Sequence, residues 1–307
     1  MKSSNIGGQA VLEGVMMRSG DKYAVAVRKP DKEIEVMEDT YTSVIKWEGL
    51  TKTPFIRGVF NFVDSMVLGI KTLNFSASFY EEEEEKPLTE KEAAKKEKLD
   101  QILTTGTMII SFIIAIGMFM VLPYFLVELI DKWIPNTFLM AVIEGVIRIG
   151  IFIGYILLVS QMEDIRRTFM YHGAEHKCIN CIEHGLPLTV ENVRNSSKEH
   201  KRCGTSFIFF VLLISIICLF FIQVETFWMR ILVRIALLPI IAGISYELIK
   251  WAGRSENICI TMLSKPGLWM QALTTKEPED DMIEVAIASV EAVFDWKAYI
   301  EELEHDA

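Results

Sequence analysis

The sequence has few cysteines: five in 307 residues (Cys178, Cys181, Cys203, Cys218 and Cys259), unevenly placed, with Cys218 inside an apolar run. That excludes a disulfide framework and fits a reducing compartment. Positive charge is also in deficit, with 31 Lys and Arg against 41 Asp and Glu and a net charge of -10. Much of the excess lies in the acidic run 81–85 and in the tail from Glu277 onward, so nucleic acid is not an expected partner. The first residues, MKSSNIGGQAVLEGVMMRSG, carry no continuous apolar core before Glu13. Membrane insertion is therefore expected to rest on internal segments.

Apolar residues are plentiful. They make up 51% of the chain, and the mean hydropathy of +0.30 is too high for an ordinary soluble protein. A bilayer core of ~30 Å needs about 20 apolar residues in a helix. Four windows qualify: 106–126 and 206–224, both uncharged, 137–161 with Glu144 and Arg148 four residues apart, and 227–249 with Arg230, Arg234, Pro239 and Glu247. Glu144 and Arg148 sit one helical turn apart and can neutralise each other. Arg230 and Arg234 are expected to snorkel to an interface. The short turns 131–136 and 225–226 hold only Lys132, whereas the central segment holds Arg166, Arg167, Lys177, Arg194, Lys198, Lys201 and Arg202. The positive-inside rule then puts the central segment and both termini on the cytoplasmic side of a cell membrane.

The expected fold is mostly α: about four transmembrane helices with a small α/β cytoplasmic domain built from N-terminal, central and C-terminal segments. The boundaries read as a β-containing cap over 1–53, an amphipathic interfacial helix over 54–80 and a charged linker over 81–101. Spans follow over 102–130, 137–162, 205–224 and 227–250, with a His/Cys loop over 163–204 and a C-terminal segment over 251–307. Within the cap, YAVAVRKPDKEIEV at 23–36 alternates around Pro30-Asp31-Lys32, a hairpin signal. In 54–80, Arg57, Asp64 and Lys71 recur every seven residues and share one face, with a fifth span as the alternative. Helical apolar spacing returns over 281–299.

The chemistry-bearing residues gather in the central segment. His172-Gly-Ala-Glu175-His176 is an H-x-x-E-H pattern. Two histidines at i and i+4 on a helix face one divalent ion, zinc by donor type, and the Glu at i+3 stands beside it, where it can take a proton from water. A third ligand is still needed, and Glu247 near the cytoplasmic end of the last span is the candidate, with Cys203 as the other; a salt bridge to an arginine such as Arg254, or to a loop lysine, is the rival role for Glu247. Gly173 weakens the helix this geometry requires. A competing closed zinc site draws on Cys178, Cys181, His200 and Cys203. It leaves His172 and His176 without a role, so the open site is preferred; the cysteines as plain buried thiols are the third reading. Arg202, beside Cys203, is a candidate for stabilising a developing oxyanion. Glu13 and Arg18, in the glycine-dense stretch 7–18, are weaker substrate-facing candidates.

Several blocks carry a family resemblance: GGQAVLEGVMMR, YHGAEHK, RCGTSF, AGISYE, LTTKEP and DMIEVAIASVEAV. The chain resembles the YqhQ family of bacterial membrane proteins over nearly its whole length. The resemblance implies a membrane location and the family's designation as predicted metal-dependent enzymes. Its blocks fall on His172, Glu175 and His176, on Arg202, Cys203 and Gly204, and on Tyr246 and Glu247. Cys181 belongs to the family pattern and Cys178 does not, which counts against the closed site.

The functional expectation is a membrane-embedded metal-dependent hydrolase, a zinc peptidase working at the cytoplasmic membrane surface on membrane-protein or peptide substrates. A non-enzymatic scaffold or regulator with a structural metal is the alternative. The third reading, a transporter, rests on Glu144 and Arg148; four spans without an internal repeat would then need a homo-oligomer.

Overall fold

The structure is a computed structural model. It describes residues 4–43, 53–80, 90–130, 136–200, 203–221, 226–252 and 257–305, with Gly49 and Trp133. The chain is mostly helical and divides into two compact units: Met1–Tyr80 with Ile156–Ile214 and Leu238–Ala307, and Glu81–Tyr155 with Ser215–Leu237.

The first unit is built on a four-stranded antiparallel meander, β1 (Ile6–Val11), β2 (Gly14–Ser19), β3 (Lys22–Arg28) and β4 (Ile34–Thr40), in that spatial order. The hairpin expected at 23–36 is present as β3 and β4, paired from Lys22↔Thr40 to Arg28↔Ile34. Strand alternation gives the sheet two apolar faces. Val15, Met17 and Ala26 pack with Tyr171, Ala174, Cys178 and Ile283, whereas Met16, Val25 and Val27 pack with Leu68. Because both faces are covered, Tyr23 to Val27 are wholly buried.

One cover is α1 (Ile56–Ala77). The seven-residue polar stripe is present and its members pair with protein groups: Asp64 accepts from Tyr41 Oη (3.0 Å) and Ser43 Oγ (2.6 Å), and the exposed Lys71 pairs with Asp39 (2.8 Å). The opposite side leaves Phe62, Met66 and Leu73 more than 40% exposed. Over the other face lie α5 (Glu163–Glu183) and α10 (Asp280–Val293). The segment 163–204, expected as a loop, is therefore largely helical: α5 is followed by the short α6 (Val190–Asn195). Glu163 and Asp164 favour the positive end of α5. Gly185, at φ +73°, turns the chain at its other end, where Leu186 N–H donates to Cys181 O. The helical spacing at 281–299 resolves into two helices, α10 and α11 (Trp296–His305), and α9 (Ile258–Thr274) precedes them.

The second unit contains most of the apolar helices. Residues 90–101, expected as linker, continue without a break into α2 (Glu90–Ile116), and 81–89 lie outside the described residues. A π-turn at Gly117–Val121 leads into α3 (Leu122–Glu128), which has Pro123 at its start. Then come α4 (Thr137–Val159), α7 (Gly204–Phe221) and α8 (Phe227–Ala252), each of which has residues in both units. Three stretches are long and apolar enough to cross a membrane: Ile102–Glu128, Phe138–Val159 and Ile231–Ala252. The apolar stretch Gly204–Cys218, expected as a span, is shorter over its described residues, and α1 is not among the three. Within this unit Glu144 bonds both Arg148 (2.6 Å) and Arg234 (2.8 Å), and Arg234 stacks over Tyr124 at 4.9 Å. Arg234 is therefore a buried partner of Glu144 rather than a snorkelling residue. A lone carboxylate or guanidinium among apolar helices costs more than a paired one.

Candidate metal centre

The helix α5 presents His172, Glu175 and His176 from one face, as i, i+3 and i+4 spacing requires. Gly173 belongs in this helix for a steric reason: a Cβ there would lie 2.0 Å from the carbonyl oxygen of Lys276. Opposite the histidines stands Cys203, immediately before α7, with its Sγ 3.2 Å from His172 Nε2. One ligand atom from each of His172, His176 and Cys203 lies within 4.8 Å of the others, and among the described residues this is the group placed to share an ion. That spread is about twice a zinc–ligand bond of ~2.0–2.3 Å.

Both histidines are held by backbone carbonyls. His172 Nδ1 is 2.9 Å from Thr274 O and His176 Nδ1 is 2.7 Å from Lys198 O. A carbonyl accepts only from N–H, so each ring carries a proton on Nδ1 and turns its Nε2 inward, the nitrogen a metal would take. Thr205 N–H donates to Cys203 Sγ (3.4 Å). Burial opposes a thiolate at Cys203, but the hydrogen bonds and charges of His172 and His176 outweigh it and hold the group well below the ordinary thiol range. Burial likewise opposes an imidazolium at His172, yet Cys203 and Glu175 carry it up to about 9.

Glu175 is the acid of the motif. It is 5% exposed, and its Oε2 is buried without a hydrogen-bond partner. Burial pushes its carboxyl up against the pull of His172 and His176. It packs against β1, where a Cβ on Gly8 would come 3.0 Å from Glu175 Cδ. Two imidazoles and a thiol around an orphaned carboxylate oxygen form a donor set that fits a divalent ion of zinc type.

The other expected residues fall elsewhere. His200 flanks the group, its ring 5.7 Å from that of His176 and its Nε2 3.6 Å from Glu183 Oε2. Glu183 in turn accepts from Ser4 N (2.9 Å) and Oγ (2.8 Å). Cys178 and Cys181 are buried in the apolar core, and Cys181 Sγ faces the carbonyls of Leu186 and Pro187. The four side chains of the closed site thus do not gather, and burial pushes the Cys178 thiol well up. Glu247 does not join this group: it makes a bidentate pair with Arg57 (2.7 and 2.5 Å) and accepts from Phe55 N (3.2 Å). A guanidinium fork at the start of α1 engages both oxygens of that carboxylate. Arg202 and Arg254 lie outside the described residues. Glu13 pairs with Arg167 and accepts from Tyr171 Oη (3.2 Å), holding the turn between β1 and β2 in which its own φ is 49°. Arg18 donates to Gly20 O (2.8 Å) and stacks over Tyr41.

The family model described as "Protein of unknown function (DUF1385)" matches residues 53–296, which contain the whole metal group. The chain belongs to the DUF1385 family. It is 37% identical over 286 residues to the uncharacterized protein YqhQ of Bacillus subtilis (strain 168), covering 92% of this chain and 90% of that protein. No solved structure matches. The family resemblance read from the sequence is thereby established, while the DUF1385 description itself names no chemistry.

Proposed function

We propose that this DUF1385 protein is a membrane-embedded, zinc-dependent hydrolase of peptide bonds, with His172, His176 and Cys203 as ligands and Glu175 as the proton-transferring group. The observation that carries the reading is the convergence of three ligand atoms within 4.8 Å beside a buried carboxylate oxygen that has no partner. Three protein ligands leave a fourth position open, the pattern of catalytic rather than structural zinc. The ion supplies Lewis acidity toward a scissile carbonyl and toward water. Glu175, its carboxyl raised by burial, takes the proton from the attacking water and passes it to the leaving amine. The water oxygen bonds the carbonyl carbon, the C–N bond breaks, and the amine leaves with the proton. The carbonyls of Thr274 and Lys198 keep the rings in register through this cycle. Arg202, adjacent to Cys203, is assigned to the developing negative charge.

Three helices of spanning length and apolarity support a bilayer as the surrounding medium, and the outward Phe62, Met66 and Leu73 of α1 suit its interface. The basic residues of 163–204 support a cytoplasmic site. The test is Glu175→Gln in zinc-loaded protein against a peptide library. Turnover should fall about 10²–10⁴-fold with zinc retained; undiminished turnover would remove Glu175 from the mechanism.

One contact favours a second reading. Cys203 Sγ lies 3.2 Å from His172 Nε2, the arrangement of a thiol nucleophile and its base. It uses neither His176 nor the orphaned oxygen of Glu175, so the metal reading accounts for more of the site. Activity that survives complete removal of metal would favour the thiol.

A further inference from the structure

The two edges of the sheet are built differently. The β4 edge carries exposed Glu35, Glu38 and Asp39, charges of the kind that keep a strand edge from pairing with another chain. The β1 edge, Ile-Gly-Gly-Gln-Ala-Val, has no charge and no proline. Alternate residues of an edge strand aim their N–H and C=O groups away from their one partner, here β2.

A cavity of about 440 Å³ opens along this strand, lined by Gly7, Gly8 and Gln9 of β1, Arg18 of β2, Asn61 of α1 and Tyr246 of α8. Gly7 is exposed, and a Cβ there would meet nothing within 4 Å. Its neighbour Gly8 lines the cavity and also packs against Glu175. The cavity thus lies on the α1 side of the uncharged β1 edge, and Glu175 lies under Gly8 on the other side of the same strand.

We propose that β1 captures an extended peptide segment by strand addition along the cavity that borders it. This deepens the hydrolase reading and rests on it for the identity of the bound species as substrate. Main-chain pairing gives affinity that tolerates many side chains. The two glycines leave room for the incoming backbone, and the polar tips of Gln9, Arg18 and Asn61 line its path.

The experiment uses full-length zinc-loaded protein in detergent and a fluorescein-labelled library of random decapeptides, read by anisotropy and by cleavage. A matched library carries N-methyl groups at alternate residues, which removes the N–H donors that strand addition needs. The unmethylated library should bind at least tenfold more tightly. Gly7→Glu, which enters open space, should abolish binding and leave the zinc content unchanged; Gly7→Ala should bind as wild type does. Glu175→Gln should bind normally without cleaving. Equal binding of the two libraries, binding that survives Gly7→Glu, or no binding of either library overturns strand addition. Binding that follows the predicted pattern with no cleavage by wild type upholds strand addition and rejects the hydrolase reading. Cleavage indifferent to N-methylation does the reverse.

Discussion

Cys203 Sγ stands 3.2 Å from His172 Nε2 although the two residues are 31 positions apart. In metal-free protein the charges and hydrogen bonds at this contact favour a thiolate against an imidazolium. Far-ultraviolet thiolate absorbance should persist well below the ordinary thiol pKa of ~8.5 and disappear in Cys203→Ser. His172 is raised to about 9, so its contribution to stability is complete below its unfolded pKa of ~6.5 and is lost as pH rises through about 9. A thiolate signal that titrates near ~8.5 would contradict the pairing.

Gly173→Ala should be far more damaging than a helix-interior alanine has any right to be on propensity grounds. The new Cβ would sit 2.0 Å from Lys276 O, and backbone cannot give way as a side chain can. Overpacking of this kind costs about 1–3 kcal/mol or more. Thermal unfolding should report that loss together with weakened metal retention, because Thr274, two residues before Lys276, holds His172. A variant as stable as wild type would mean that α5 and the strap 274–278 do not meet closely.

Glu247→Gln should leave the metal content unchanged while loosening the contact between α1 and α8. The pair with Arg57 is partly exposed, so screening limits the cost to ~1 kcal/mol. Arg57→Gln should give a similar loss, and the double variant little more than either single one. Loss of metal in Glu247→Gln would return Glu247 to the ligand set.

The Asp39 carboxyl is held down to about 2 by its hydrogen bond from Lys71, with Thr40 N–H and Tyr23 Oη assisting. A depressed carboxylate contributes stability that is complete above its unfolded pKa of ~3.9 and is lost as pH falls toward about 2. Carboxyl chemical shifts followed through acid should place the Asp39 midpoint near the lower value. In Lys71→Met it should move back toward ~3.9; an unchanged midpoint would mean that α1 is not tied to β4 through this pair.

The H-x-x-E-H motif and the hairpin of β3 and β4 were legible in the sequence because both are local: one follows from helix spacing and the other from alternation around Pro30. The hairpin of β1 and β2 was hidden because Gly7, Gly8 and Gly14 carry weak strand preference. α5 passed for a loop because Tyr171 to Glu183 are almost all buried, and burial all round erases the one-sided periodicity that marks a surface helix. The third member of the group, Cys203, needed tertiary information. Glu247 drew attention as a charge in an apolar stretch, but its partner Arg57 lies 190 positions away. The role of Gly173 reversed for the same reason, since only the close approach of Lys276 shows why a glycine interrupts the motif.

The central claim is that His172, His176 and Cys203 hold one divalent ion. Elemental analysis of the purified full-length protein tests it most directly, for wild type and for His172→Ala, His176→Ala, Cys203→Ala and Cys181→Ala. The account predicts one equivalent of zinc in wild type and in Cys181→Ala, and its loss in each of the other three. Zinc retained without Cys203, or lost with Cys181, would contradict it.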